Sequence, residues 1–123
     1  MKIGELARRT GVSVRSLRYY DEQGLVKPLR QENGYREYSA LAEEQVRTIQ
    51  FYLSLGLSTD QISSFLHCVL MNKEAFCSEI LPIYRQKLEE IDQQINQLSL
   101  IKANLKDRII SILAEQPTNE GGN

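Results

Sequence analysis

The chain has no tryptophan, a single histidine, two cysteines and three prolines in 123 residues. Two cysteines, Cys68 and Cys77, cannot build the multi-bridge framework that holds small secreted domains together. With His67 alone, no nucleophile–base–acid constellation can be assembled, and the glycines form no phosphate-cradling loop. An enzyme is therefore not expected. No apolar run is long enough to span a bilayer, and the opening MKIGELARR lacks the apolar stretch of a signal peptide. A cytoplasmic protein without membrane association is the expectation. A hydrophobic content of 41% and a charged content of 25% suit an ordinary folded chain, one domain or a small domain with an extended helix.

Excess charge of one sign is missing too, since the net charge is −1. The distribution is uneven, however. Residues 1–40 carry eight Lys/Arg against five Asp/Glu, and the rest carries seven against eleven. A binding face needs only local positive potential, so the basic N-terminal third keeps nucleic acid open as a partner despite the overall balance.

The most informative stretch is SVRSLRYYDEQGLVKPLRQENGYREY, Ser13 to Tyr38. Ile3, Leu6 and Ala7 precede it at helical spacing, and Gly11 can cap that helix. Ser13 can cap a second helix that turns Leu17 inward and closes at Gly24. Two short helices joined at Gly11-Val12 describe a helix-turn-helix whose second helix would enter a groove. Asn33-Gly34 between short extended segments signals a hairpin, so residues 26–38 are read as a wing. Tyr19, near Leu17 and Leu25 in sequence, is expected in the core, and Tyr20 at the surface with its phenol beside Arg18. Arg8 and Arg9 are expected to be solvated helix charges.

Ser39 should cap a third helix over about Leu41–Leu55, with Leu41, Val46, Ile49 and Leu53 apolar, before Gly56 breaks it. A fourth helix from Ser58 or Thr59 should line Ile62, Phe65, Leu66 and Val69 on one face. The last third changes period. Leu81, Tyr84, Leu88, Ile91, Ile95, Leu98, Leu105, Ile109 and Ile112 follow a 3,4 repeat, interrupted by Lys102. From Leu81 to Leu113 such a helix is about 50 Å long and cannot bury its seam in so small a globule. A second copy of the chain is its simplest partner. Its start is expected between Asn72 and Pro82, with Cys77 extending the repeat backwards as a buried seam thiol.

IGELARRTGVSVRSLRYYDEQGL, NGYREY, QFYLSLGLSTDQI and the heptad helix, in this order, resemble the MerR family of bacterial transcription regulators over residues 1 to about 113. The resemblance implies a mainly α fold: a winged helix-turn-helix with a small β-hairpin wing (residues 1–71), an antiparallel coiled-coil dimerisation helix (72–115) and a disordered tail (116–123). It also implies a homodimer on a palindromic operator in double-stranded promoter DNA. That dimer would distort an over-long spacer in answer to an unidentified effector and so reach RNA polymerase through the DNA. Ser13, Arg15, Arg18, Tyr20, Tyr35, Arg36 and Tyr38 are the DNA-binding residues it implies, Arg15 at base edges and Arg18, Tyr20, Tyr35 and Arg36 at the backbone or minor groove. Tyr38 is the last wing aromatic, suited to supporting the wing. Leu81, Tyr84, Leu88, Ile91, Ile95, Leu98, Leu105 and Ile109 are the implied dimer contacts.

Metal-sensing relatives add a cysteine pair after the long helix, where Glu115 to Asn123 hold neither Cys nor His, so no metal and no cofactor are expected. His67 and Cys68 point about 100° apart on a helix and do not chelate. Cys68 and Cys77 are read as mainly structural. The alternatives are a thiol-responsive regulator using one of them, and a module that docks proteins rather than DNA.

Overall fold

The computed structural model describes residues 1–30, 34 and 36–116. The expected wing residues Asn33 and Tyr35 and the tail beyond Gln116 lie outside them. The chain divides into two units, Met1–Tyr84 and Arg85–Asn123.

In the first unit, α1 (Ile3–Thr10) buries Leu6 and ends on Gly11, which adopts φ +75° and donates its N–H to Ala7 O at 2.8 Å. That left-handed turn is the one a Cβ disfavours, so glycine ends the helix cheaply. The last carbonyls of α1 are met from α3: Arg47 donates to Arg9 O at 2.8 Å and Gln50 to Thr10 O at 3.0 Å. These groups would otherwise lack partners at a packed helix end. Arg9 also pairs with Glu5 and Glu43, so it is less free than a purely solvated charge.

Helix α2 (Val14–Glu22) begins at Ser13, whose Oγ accepts the Ser16 N–H at 3.1 Å. Strands β1 (Leu29–Arg30) and β2 (Arg36–Glu37) pair antiparallel, Leu29 with Glu37 and Arg30 with Arg36. Gly34, between them, takes φ +84°, as a tight hairpin demands. Helix α3 (Ala40–Ser54), capped by Ser39, is the centre of the unit and packs on α1, α4 and α5. It buries Ala42, Val46, Ile49 and Tyr52, whereas Leu41, expected inside, is 55% exposed. The inward row runs 42, 46, 49 rather than from 41, so Leu41 falls on the outer side.

The expected fourth helix is two: α4 (Thr59–Ser63), opened by a capping box between Ser58 and Gln61, and α5 (Leu66–Met71). Ser63 and Ser64 donate their hydroxyls to Asp60 O and Gln61 O at 2.7 Å each. Side chains that compete for helix carbonyls in this way favour a break, and Phe65 follows at φ −131°. Ile62, Phe65 and Leu66 still bury together. A 3₁₀ turn (Glu74–Phe76) then leads to α6 (Ile80–Glu115), which admits Pro82 in its first turn.

Cys77 is thus not in the heptad. It lies in extended backbone before α6, is 5% exposed, and is disulfide-bonded to Cys68 of α5, with the Cα atoms 5.9 Å apart. Packing of Cys77, Ile80, Ile83 and Tyr84 on the core carries the first unit to Tyr84, past the division expected at residue 71.

Over its described residues, the second unit is the remainder of α6 and Gln116. Among the described residues no helix is long and apolar enough to cross a membrane.

Candidate nucleic-acid interface

Helix α2 has two unlike sides because of where its apolar residues fall. Leu17 and Tyr20 point into the core at 1% and 6% exposure. Arg15, Arg18, Tyr19 and Glu22, at i, i+3, i+4 and i+7, share the outer side and line one shallow concavity. Arg15 and Arg18 are exposed. A guanidinium pair on one helix face offers forked donors to phosphate oxygens or to guanine O6/N7.

The two tyrosines are the reverse of the expectation. Tyr19 is 44% exposed, and its hydroxyl lies 3.3 Å from Thr59 Oγ1 at the start of α4. Tyr20 is a core ring, and burial pushes its phenol above the ordinary value. Tyr20 is three residues from Leu17 and so follows it inward, while Tyr19 follows Arg15 outward. Sequence proximity to Leu17 was the wrong guide.

The wing reaches α2 through an ion pair between Arg36 on β2 and Asp21, whose side chain is largely buried. Arg36, expected at DNA backbone, is therefore engaged within the protein, with about a third of its side chain still exposed. Tyr38, which the family resemblance implies among the DNA contacts, is 2% exposed. Burial and then the Asp21 charge push its phenol up, while Arg36 and Arg18 pull it down. Its backbone N–H donates to Met1 O at 2.7 Å, tying the base of the wing to the entry of α1. Tyr20 and Tyr38 are core groups rather than open contacts. Lys2, Arg18, Glu22, Gly34, Arg36 and Tyr38 line a cleft of about 450 Å³ between α2 and the wing, with three cations around it. Ser13 is exposed, but its hydroxyl is already spent on the α2 cap.

Nothing in the residue pattern singled out Asp21. An acid inside a basic stretch reads as a solvated charge until the fold brings β2 beside it. Glu74 is a second residue of this kind. Its Oε2 accepts from Tyr52 Oη and Tyr84 Oη at 3.0 Å each. Burial, followed by that bond to Glu74, raises the Tyr52 phenol far above its usual range.

Tyr84, expected in the dimer seam, is half-buried and bonded within its own chain. Along the rest of α6, Leu88, Ile95, Leu98, Leu105 and Ile109 are each more than half exposed. Leu81 is likewise open, and Ile91 is half-buried. Leu100, Ile101, Ile110 and Leu113, outside the 3,4 repeat, are open as well, so the apolar surface broadens towards the C-terminal end.

Residues 1–67 match the family described as "MerR HTH family regulatory protein", and residues 43–108 match "MerR, DNA binding". Among curated proteins, the HTH-type transcriptional regulator HmrR of Rhizobium leguminosarum bv. viciae is 33% identical over 106 residues, covering 86% of this chain and 81% of that protein. The mercuric resistance operon regulatory protein of Bacillus cereus is 35% identical over 107 residues, covering 86% and 80%. Among solved structures, the lead(II) complex of PbrR691 from Ralstonia metallidurans superposes with a TM-score of 0.77 at 23% identity, covering 87% of this chain and 84% of that one. HiNmlR, a MerR family regulator lacking the sensor domain and bound to promoter DNA, gives 0.56 at 22%, covering 89% and 83%. At these identities the two structures speak for the fold alone.

Proposed function

Because this chain belongs to the MerR family of DNA-binding transcription regulators, and is not an enzyme, we propose that it acts as a homodimer paired through α6 on a two-fold palindrome in promoter DNA. One observation carries the reading. The outer stripe of α2 presents Arg15 and Arg18 while the Asp21–Arg36 pair fixes the wing beside it. Arg15 reads base edges, Arg18 holds phosphate, and Tyr19 takes the outward position expected of Tyr20. Arg36 orients the wing and offers its exposed edge to the backbone. Ser13, Tyr20 and Tyr38 support this surface from behind.

Pairing of α6 is supported by the apolar residues it leaves open. Covering one Leu or Ile side chain contributes about 1.5–3 kcal/mol, so a row of them outweighs the cost of association. A dimer then places two α2 helices on one face of a duplex, and symmetry of the protein demands symmetry of the site. Regulation passes to RNA polymerase through the shape of the promoter DNA, which locates the protein with the genome in the bacterial cytoplasm.

Selection of bound duplexes from a random pool tests this. The expected product is a palindrome, and binding should weaken steeply with salt as phosphate contacts release counterions. Recovery of half-sites without symmetry would sink the dimer-on-palindrome reading.

A further inference from the structure

Three features converge on the segment between α5 and α6. The first is the bond between Cys68 and Cys77, whose Cα atoms stand 5.9 Å apart, inside the usual range for a bridged pair. The pair can be joined or parted without moving the backbone far. The second is its setting. A promoter-binding regulator works where glutathione and thioredoxin systems keep thiols reduced, and disulfides in such compartments are characteristically transient and sensing. The third is what the bridge encloses. Its loop carries Glu74, and that carboxylate holds Tyr52 of α3 and Tyr84 of the first turns of α6.

The two sulfurs are not equivalent. Cys68 is partly exposed, and Asn72 Nδ2 lies 3.9 Å from its Sγ, an N–H donor placed to favour a thiolate. Cys77 is 5% exposed, and its Sγ lies 3.8 Å from the Lys73 carbonyl oxygen, an acceptor that suits a neutral S–H once the bridge is reduced. No group of three or more His, Cys, Asp or Glu suited to a metal ion occurs among the described residues.

Resting on the regulator reading above, we propose that Cys68 and Cys77 form a reversible dithiol–disulfide site that takes a hydroperoxide as oxidant, and that its state is the signal this protein transmits. The Cys68 thiolate attacks the terminal peroxide oxygen. The O–O bond breaks, the alkoxide or hydroxide leaves and takes up a proton, and Cys68 becomes a sulfenic acid. The peroxide is thereby reduced by two electrons. The Cys77 sulfur then attacks Cys68 Sγ, the S–S bond forms, and the sulfenic oxygen leaves with the Cys77 proton as water. A thiol reductant reverses the bond by exchange. Closing the loop restrains Glu74 against Tyr52 and Tyr84. Opening it releases that restraint on the entry to α6.

The test uses the full chain, reduced and then treated with hydrogen peroxide, and reads three quantities. These are thiol titre, intact mass, and transcription from a promoter carrying the selected duplex. Peroxide should remove both thiols with a mass loss of two hydrogens and no cross-linked dimer, and dithiothreitol should restore them. Transcription should differ between the two states by about fivefold or more, within the span of ordinary allosteric coupling. In Cys77→Ser a sulfenic acid should be trapped at Cys68 by dimedone, and in Cys68→Ser no such adduct should form at Cys77. Cys77→Ala repeats the test if the serine variant does not fold. Thiols that persist under peroxide, or a bridge that forms without changing transcription, would overturn the proposal. So would a peroxide response retained by the double variant, or a response to cuprous ion in place of peroxide. Failure to retain any duplex would strike the regulator reading instead, while the thiol titre would still decide the chemistry.

Discussion

The two units treat the same residue types in opposite ways. In Met1–Tyr84, Leu6, Val46, Ile49 and Ile62 have no exposed surface at all. In Arg85–Asn123, Leu88, Leu98, Leu105 and Ile110 are 60–64% exposed. The first unit folds short helices back on one another and closes a core of its own, with Leu41, Met71 and Phe76 left outside it. The second, over its described residues, is a single helical run, and one helix alone has no inside. Stability of the first is therefore a property of one chain, and stability of the second depends on what covers it.

The sharpest way to break this contrast is to charge the helix. Ile91→Asp with Ile95→Asp would set carboxylates in the apolar row, where each removed side chain forfeits about 1.5–3 kcal/mol and each charge adds a desolvation cost. Dimer affinity should fall by several orders of magnitude in sedimentation experiments, with the helix-turn-helix unit still folded by circular dichroism. An unchanged dimer would mean that this row is not the interface.

Next in size is a cavity in the closed core. Ile49→Ala, at a fully buried α3 position, should lower unfolding stability by about 2–5 kcal/mol in urea titrations of the folded protein. An exposed-side replacement on α6 such as Leu100→Ala, off the 3,4 repeat, should cost far less, within about 0.5 kcal/mol. Equal losses at both would erase the distinction between the two units.

Arg15→Ala should relax the preferred sequence at one symmetric pair of positions and cost about 1–3 kcal/mol there, measured by repeating the duplex selection. Arg18→Ala should instead weaken all sites alike and reduce the log–log salt slope by about 1. If both variants alter base preference equally, the division between reading and anchoring fails. Ser13→Ala, which removes the α2 cap, should cost about 1 kcal/mol of folding stability, read as a lowered denaturation midpoint.

Much of the frame was legible in local chemistry. The caps at Ser13, Ser39 and Ser58 and the stop at Gly11 act over three or four residues, so their meaning survives without the fold. The exposed row on α6 is legible for the same reason, since a helix converts a 3,4 spacing into a stripe whatever surrounds it. The site was half legible. Arg15 and Arg18 lie on the expected face, but Tyr19 and Tyr20 exchanged places. Adjacent residues on a helix differ by about 100°, and the choice between them belongs to the packing.

From its residues alone, then, the chain determined helix ends, a basic outer stripe on α2 and an apolar stripe on α6. Each follows from backbone geometry and nearest neighbours along the chain. Tertiary structure alone decided that Asp21 meets Arg36, that Glu74 gathers Tyr52 and Tyr84, and that Cys77 leaves the heptad to join Cys68. These partners lie 9 to 22 residues apart, in different elements, as with Cys68 and Cys77 or Tyr52 and Glu74. No local propensity encodes such a meeting. It is set by which faces must be buried together, and the polar and sulfur partners are those that this burial leaves within reach.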